Sequence, residues 1–349
     1  MIPRWKARAR KILPDTIVRK LAPLTKFRFS NGFPNIGLIA FVVTKNFLFA
    51  IAHFESYRSS NLAIKQYEKA LEKLGTDIAN RDSKILHLIY GLKQHETLHY
   101  FHWALIERML EVIRPDTVFF HYTYEPQGVY WQKVRSKLCL VPVPPFQYYG
   151  VAHLQHFAHK ADIVRLLALY NIGGVYLDID TLVFKSFDDL LSDRRLTVGI
   201  ERLPGEPGAC GLCNAAMVSP KGHGGVRAWL ESYKYFRGDA QFYWAEHSVK
   251  LSMRLFRRRT DVAVLDSHSF FEINWDEANL FFDPGKAATV RARVAGAYSQ
   301  HLWENHCMTK LLADFSEPPS GNQSFLAGEL SAASTDGSSN AKNVDRLVV

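Results

Sequence analysis

Between residues 84 and 220 the spacing of apolar positions switches repeatedly between the period of a strand and that of a helix. Short apolar runs at 85–90, 117–122, 138–143 and 196–201 fit strands, whereas 101–113 and 156–170 carry helical spacing. Within 160–170, Ile163, Leu166, Leu167 and Tyr170 form one stripe, and Asp162 and Arg165 share another face three residues apart. Further on, 214–219 fits another strand, 222–236 and 244–256 fit helices, and the glycines and prolines from Pro204 to Gly211 fit a loop. A polar helix is expected at 60–74. Strands separated by helical segments imply βαβ units, hence an α/β fold with a mainly parallel sheet flanked by helices and an N-terminal helical extension.

The most informative stretch is Asn171-Ile-Gly-Gly-Val-Tyr-Leu-Asp-Ile-Asp180. Asn171 and the Gly173-Gly174 pair can end a helix and supply positive φ for a tight turn. Read as a strand, residues 175–180 place Val175, Leu177 and Ile179 on one face and Tyr176, Asp178 and Asp180 on the other. Two carboxylates so close raise each other's pKa unless a cation neutralises them. A hard divalent ion with oxygen ligands, Mn²⁺ or Mg²⁺, is the natural partner, commonly shared with substrate phosphates. In parallel sheets ligands bind at the carboxyl ends of strands, where this pair falls.

Asp162-x-x-Arg165 followed by Gly173-Gly174-x-Tyr176-x-Asp178-x-Asp180 resembles the sugar-nucleotide motif of glycosyltransferase family 32, which includes α-mannosyl- and α-1,4-galactosyltransferase-like enzymes and capsule-synthesis transferases. The resemblance implies a Rossmann-like GT-A fold and metal-dependent sugar transfer from a nucleotide with retention, a UDP-sugar being the expected donor. It implies that Asp180 binds the metal directly and that Asp178 binds it through water or holds the donor. It further implies that Asp162 and Arg165 orient the donor's nucleotide or sugar hydroxyls, that Tyr176 lies against the nucleotide, and that Asn214 stands near the donor. Tyr298-Ser-Gln-His-Leu-Trp-Glu-Asn-His306 resembles the family's closing His-x-Trp element, so His301 is expected to complete the metal shell. Where family members often carry Gly-Pro this chain has Ser248-Val249, which leaves Glu246 and His247 unassigned. Glu201 and Asp239 are read as surface carboxylates that could also face an acceptor hydroxyl.

A net charge of +9 favours anionic partners such as nucleotides, acidic glycans or anionic lipid, but is too dispersed to argue for nucleic acid. Cys139, Cys210, Cys213 and Cys307 do not make a disulfide framework in a chain of 349 residues. The first 30 or so residues are basic, and the apolar run at 36–54 is interrupted by Thr44-Lys45-Asn46. A central lysine costs about 2.5–3.5 kcal/mol on insertion, so a span is not expected; the run fits peripheral attachment to an anionic membrane surface or a core strand or helix preceded by a solvated arm. The expected setting is cytoplasmic, at the inner face of the membrane, with a glycan or lipid-linked glycan as acceptor; a Golgi type II protein is the alternative if 36–54 spans. The chain divides on this reading into an arm and helical extension (1–83), a GT-A domain (84–315) and a disordered tail (316–349) rich in Ser, Gly, Asn and Ala.

Two competing readings come from the residues. His95-Glu-Thr-Leu-His99 is a literal H-E-x-x-H, which on a helix would present two imidazoles on one face and Glu96 to activate a zinc-bound water. A catalytically silent nucleotide-sugar or glycan-binding protein is the other, although the intact acidic pair argues against it.

Overall fold

The computed structural model describes residues 53–78, 83–205, 208–236, 244–321 and 323–335, together with residue 47. The basic arm, nearly all of the apolar run at 36–54, and Asp239 lie outside the described residues. In chain order the main elements are α1 (Phe54–Ile78), β1 (Ile85–Ile89), α2 (Tyr100–Ile113), β2 (Thr117–Tyr122), β3 (Cys139–Pro142), β4 (Tyr148–Tyr149), β5 (Ala152–His153), α3 (Phe157–Asn171), β6 (Gly174–Leu177), β7 (Thr181–Val183), β8 (Leu196–Arg202), β9 (Ala209–Ser219), α4 (Gly224–Ser232), α5 (Leu251–Phe256), β10 (Val262–Leu265), β11 (Ser299–His301), α6 (Glu304–Phe315) and α7 (Phe325–Thr335).

Seven strands form one sheet in the order β10-β8-β9-β6-β1-β2-β3. β9 is antiparallel to both of its neighbours, and every other pairing in the sheet is parallel, so six strands share a direction. The sheet is buried on both faces, as parallel sheets are. One face carries Leu88, Val175 and Leu177 with Phe101, Leu105 and Met109 of α2. The other carries Ile89, Phe119 and Tyr176 with α1, α3 and α4, through Tyr67, Leu71, Leu167 and Trp229. The expected α/β architecture is therefore observed, with α1 contributing to the same core as the sheet.

The turn that feeds β6 needs its glycines. Gly173 and Gly174 have φ of +84° and +104°, and a Cβ on Gly174 would stand 2.7 Å from the Ile85 carbonyl oxygen. Val175, Leu177 and Ile179 share one core, as the alternation requires.

Three expectations are corrected. The strand ends at Leu177, so Asp178 and Asp180 belong to the turn joining β6 to β7 rather than to the strand. β9 begins at Ala209, inside the expected loop, because Ala209–Arg202 and Gly211–Glu201 pairing continues the hairpin with β8. The expected disordered tail contains α7, whose Phe325, Leu326 and Leu330 are fully buried in the core beside α2. Burying each such side chain contributes about 1.5–3 kcal/mol, which composition alone did not reveal.

Candidate active site

α3 runs back along the sheet to the Gly173-Gly174 turn, so its first turns stand at the carboxyl ends of β1 and β6. It is buried on nearly all sides, including its polar residues Asp162 and Arg165. Arg165 is enclosed by acceptors. One Nη donates to the Asn214 carbonyl at 2.8 Å and to its Oδ1 at 3.0 Å, and the other stands 3.1 Å from Asp178 Oδ1. Asn214 Nδ2 donates to Asp162 Oδ1 at 2.8 Å, closing the group. The guanidinium also lies 4.6 Å from the centre of the Tyr176 ring, and the Tyr176 hydroxyl donates to Asp178 Oδ1 at 2.5 Å. Burial opposes the charge on Arg165, but Asp178, Tyr176 and Asp162 outweigh it and hold it protonated.

Asp180 is anchored from the opposite side. β11 pairs with β7 in a separate two-stranded ribbon with His301 opposite Thr181, which brings His301 next to the acidic turn. The Leu302 amide donates to the Asp180 carbonyl at 2.9 Å, and the Glu304 amide donates to Asp180 Oδ2 at 2.7 Å. Glu304 is the first residue of α6, so an N–H that has no acceptor within the helix and the positive end of the helix face this carboxylate. Trp303 makes this possible from a left-handed conformation with φ of 59°, held by its indole N–H donating to the Ile273 carbonyl at 2.7 Å.

Each carboxylate thus has one oxygen fixed by Arg165 and Tyr176 or by the Glu304 amide, and the other turned to His301, whose Nε2 hydrogen-bonds Asp180 Oδ1 at 3.1 Å. Asp178 Oδ2, Asp180 Oδ1 and His301 Nε2 converge, the imidazole nitrogen lying 3.7 Å and 3.1 Å from the two oxygens. Adjacent ligands of an octahedral ion bound at 2.0–2.2 Å stand about 3 Å apart, so these atoms are close to ligand spacing. Two carboxylates and an imidazole suit Mn²⁺ better than Mg²⁺. Among the described residues, this trio is the group of histidine, cysteine and acidic side chains close enough to hold a metal ion. Among the described residues, the buried His301 Nδ1 has no hydrogen-bond partner.

The electrostatics separate the two aspartates. Burial pushes the Asp178 carboxyl up, only partly opposed by Arg165 and His301. Burial acts the same way on Asp180, but His301 and the Glu304 amide overcome it and hold the group below the usual range. Burial would lower His301, yet Asp180 and Asp178 raise it overall.

All six sequence-derived residues around the donor, Asp162, Arg165, Tyr176, Asp178, Asp180 and Asn214, come together with His301. Arg165 and Asp162 act within the protein, however, through Asn214 and Asp178. The sequence did not single out the Glu304 amide, because a backbone donor leaves no signature beyond a helix start. Glu201 corrects a surface assignment: it is 5% exposed.

The zinc reading fails on geometry. Residues 95–99 form a turn and extended segment before α2, with His95 at φ of 60° and His99 as the residue preceding the helix. Their imidazoles therefore lack the shared helical face. Glu96 accepts from the Lys93 amide at 3.1 Å, and the His99 amide donates to His102 Nδ1 at 3.2 Å.

Residues 106–197 match the family model described as a glycosyltransferase sugar-binding region containing a DXD motif, and residues 246–314 match the α-1,4-glycosyltransferase conserved region. Glucan organizing enzyme 1 of Cryptococcus neoformans var. grubii serotype A is 36% identical over 237 residues, 64% of this chain and 63% of that protein. The match therefore spans less than two thirds of that relative. Among solved structures, the PaToxG glycosyltransferase overlaps 69% of this chain and 89% of its own at 14% identity and a TM-score of 0.36. The galactosyltransferase LgtC, in complex with donor and acceptor sugar analogues, overlaps 68% of this chain and 98% of its own at 12% identity and the same TM-score of 0.36. Likeness at that level adds nothing to the sheet order of the chain itself.

Proposed function

We propose, from the premise that the chain is a family-32-like glycosyltransferase with a DXD sugar-binding region and an α-1,4-glycosyltransferase region, that it moves a sugar from a nucleoside-diphosphate donor, a UDP-sugar, to a glycan or lipid-linked glycan with retention. The observation that carries this reading is the convergence of Asp178 Oδ2, Asp180 Oδ1 and His301 Nε2 at the carboxyl edge of a parallel sheet. These three residues would hold Mn²⁺. When bound, such an ion acts as a Lewis acid for the departing diphosphate and positions the donor. The protein's own contribution is preorganisation. Arg165 and Tyr176 fix one oxygen of Asp178, the Glu304 amide fixes one oxygen of Asp180, and neither carboxylate has to reorient as charge develops.

A relative named for organising glucan supports a polysaccharide acceptor. The basic composition of the first 30 or so residues supports peripheral attachment to an anionic membrane.

The test is nucleotide release from a panel of UDP- and GDP-sugars with Mn²⁺ or with chelator. Metal-dependent turnover of one donor, abolished in Asp180→Asn, is the expected result. No donor bound and none turned over would overturn the reading.

A further inference from the structure

Glu201 is a carboxylate that the proposed transfer scheme leaves unused. It lies at the carboxyl end of β8, 5% exposed, opposite Gly211 of β9. Among the described residues it makes no ion pair. The groups that act on its charge are the buried thiol of Cys213, His301 and Lys250. Burial pushes its carboxyl up. A neutral side chain would pack in that place at less cost, since an isolated buried carboxylate is among the more expensive groups a core can hold.

The backbone around it is irregular on both sides. The β8–β9 register shifts between Val198 and Gly199 and again between Glu201 and Arg202. Such bulges re-aim side chains and are common beside active sites. The first shift accompanies a close approach: a Cβ on Gly199 would stand 2.7 Å from the Phe270 ring. Phe271, next along, packs its ring 6.2 Å from that of His301. Glu201 and His301 thus border the same side of the acidic turn, whereas Arg165 and Asn214 occupy the other.

We propose that Glu201 is a catalytic residue whose carboxyl contacts the transferred sugar, on the side of the metal-binding trio away from Arg165. The inference rests on the glycosyltransferase reading and deepens it by separating the sugar end of the donor from the nucleotide end. Glu201 then distinguishes a donor carrying a sugar from the bare nucleotide, and its negative charge favours the positive character that the sugar gains as the bond to phosphate breaks.

The experiment compares wild type, Glu201→Gln and Glu201→Asp by transfer rate, thermal midpoint, and calorimetric affinity for UDP and for whichever of UDP-glucose, UDP-galactose or GDP-mannose the wild type turns over, all with Mn²⁺. If a GDP-sugar is the donor, GDP replaces UDP. The expected result for Glu201→Gln is a loss of transfer of at least about 30-fold, the preference for nucleotide-sugar over bare nucleotide reduced, affinity for the bare nucleotide unchanged, and a midpoint equal to or above wild type. Glu201→Asp, which keeps the carboxyl, recovers part of the rate and carries the test if the glutamine variant does not fold. Transfer at the wild-type rate in Glu201→Gln overturns the proposal. So does a fall in midpoint with equal losses of bare nucleotide and nucleotide-sugar, since that marks a structural role. Absence of donor binding in the wild type would instead overturn the glycosyltransferase reading and this proposal with it.

Discussion

Two sets of residues in this chain spell a metal site, and one of them converges to ligand spacing. Residues 95–99 hold two histidines and a glutamate in five positions, while Asp178, Asp180 and His301 are split by 121 residues between the second aspartate and the histidine. The compact motif does not converge, because the chain there is a turn with a left-handed His95 and a glutamate already bonded to a neighbouring amide. The dispersed one does, because β7–β11 pairing, the start of α6 and the Arg165 network each fix one atom of it. Ligand geometry is therefore a property of the supporting elements. Letters in the right order carry it only when the backbone beneath them has the right form.

Breaking the converged site should give the largest effect. Asp180→Asn keeps shape but removes a charged ligand, and should lower transfer by about 10³-fold or more, some 4 kcal/mol, in a steady-state assay. Retention of a tenth of the activity would contradict it.

Next comes the support. Arg165→Met leaves the buried Asp162 and the half-buried Asp178 without their cation and should lower stability by about 3 kcal/mol or more, read from the denaturant midpoint. A smaller loss would mean that the network is dispensable for folding.

A third effect lies away from the site and depends on pH. Tyr67 of α1 pairs with His121 Nδ1 at 2.7 Å, His121 Nε2 with His87 Nδ1 at 3.0 Å, and His87 Nε2 with the Gly173 carbonyl at 2.9 Å. One set of neutral tautomers satisfies the whole chain, each group donating toward Gly173. Burial lowers His87 from its ordinary 6.5 to about 4 and lowers His121 as well. Between those values the unfolded chain takes up a proton at His87 that the folded chain does not, so stability falls as pH falls. At pH 5 the loss from His87 is about 2 kcal/mol relative to neutral pH. The slope between pH 6.5 and 4 should shrink by about one proton in His87→Gln; an unchanged slope would place the titration elsewhere.

The smallest effect belongs to the motif that does not converge. Glu96→Gln should leave transfer within about twofold of wild type, and any zinc-dependent activity lost on that change would reverse the comparison.

Much of this was legible in the sequence where local rules suffice. The period of apolar residues placed β1, β2, α2 and α3, and the paired glycines announced the turn before the acidic pair. Asp162, Arg165, Tyr176, Asn214 and His301 stand out by resemblance to a family motif, and the fold brings them together. What escaped depends on long-range pairing. Nothing local tells that β9 extends back to Ala209 or that Phe325, Leu326 and Leu330 find a core, since both depend on partners distant in the chain. The Glu304 amide was invisible because backbone donors have no letter. The burial of Glu201 is not legible because a lone glutamate at a strand end is ordinarily solvated.

The most direct measurement is Mn²⁺ binding by electron paramagnetic resonance in wild type, Asp180→Asn, His301→Ala and a His95→Ala/His99→Ala double variant, with UDP present. The account predicts one tightly bound ion in the wild type and the double histidine variant, and binding weakened about 10-fold or more in the other two. Binding that survives both Asp180→Asn and His301→Ala, or that disappears with His95 and His99, would contradict it.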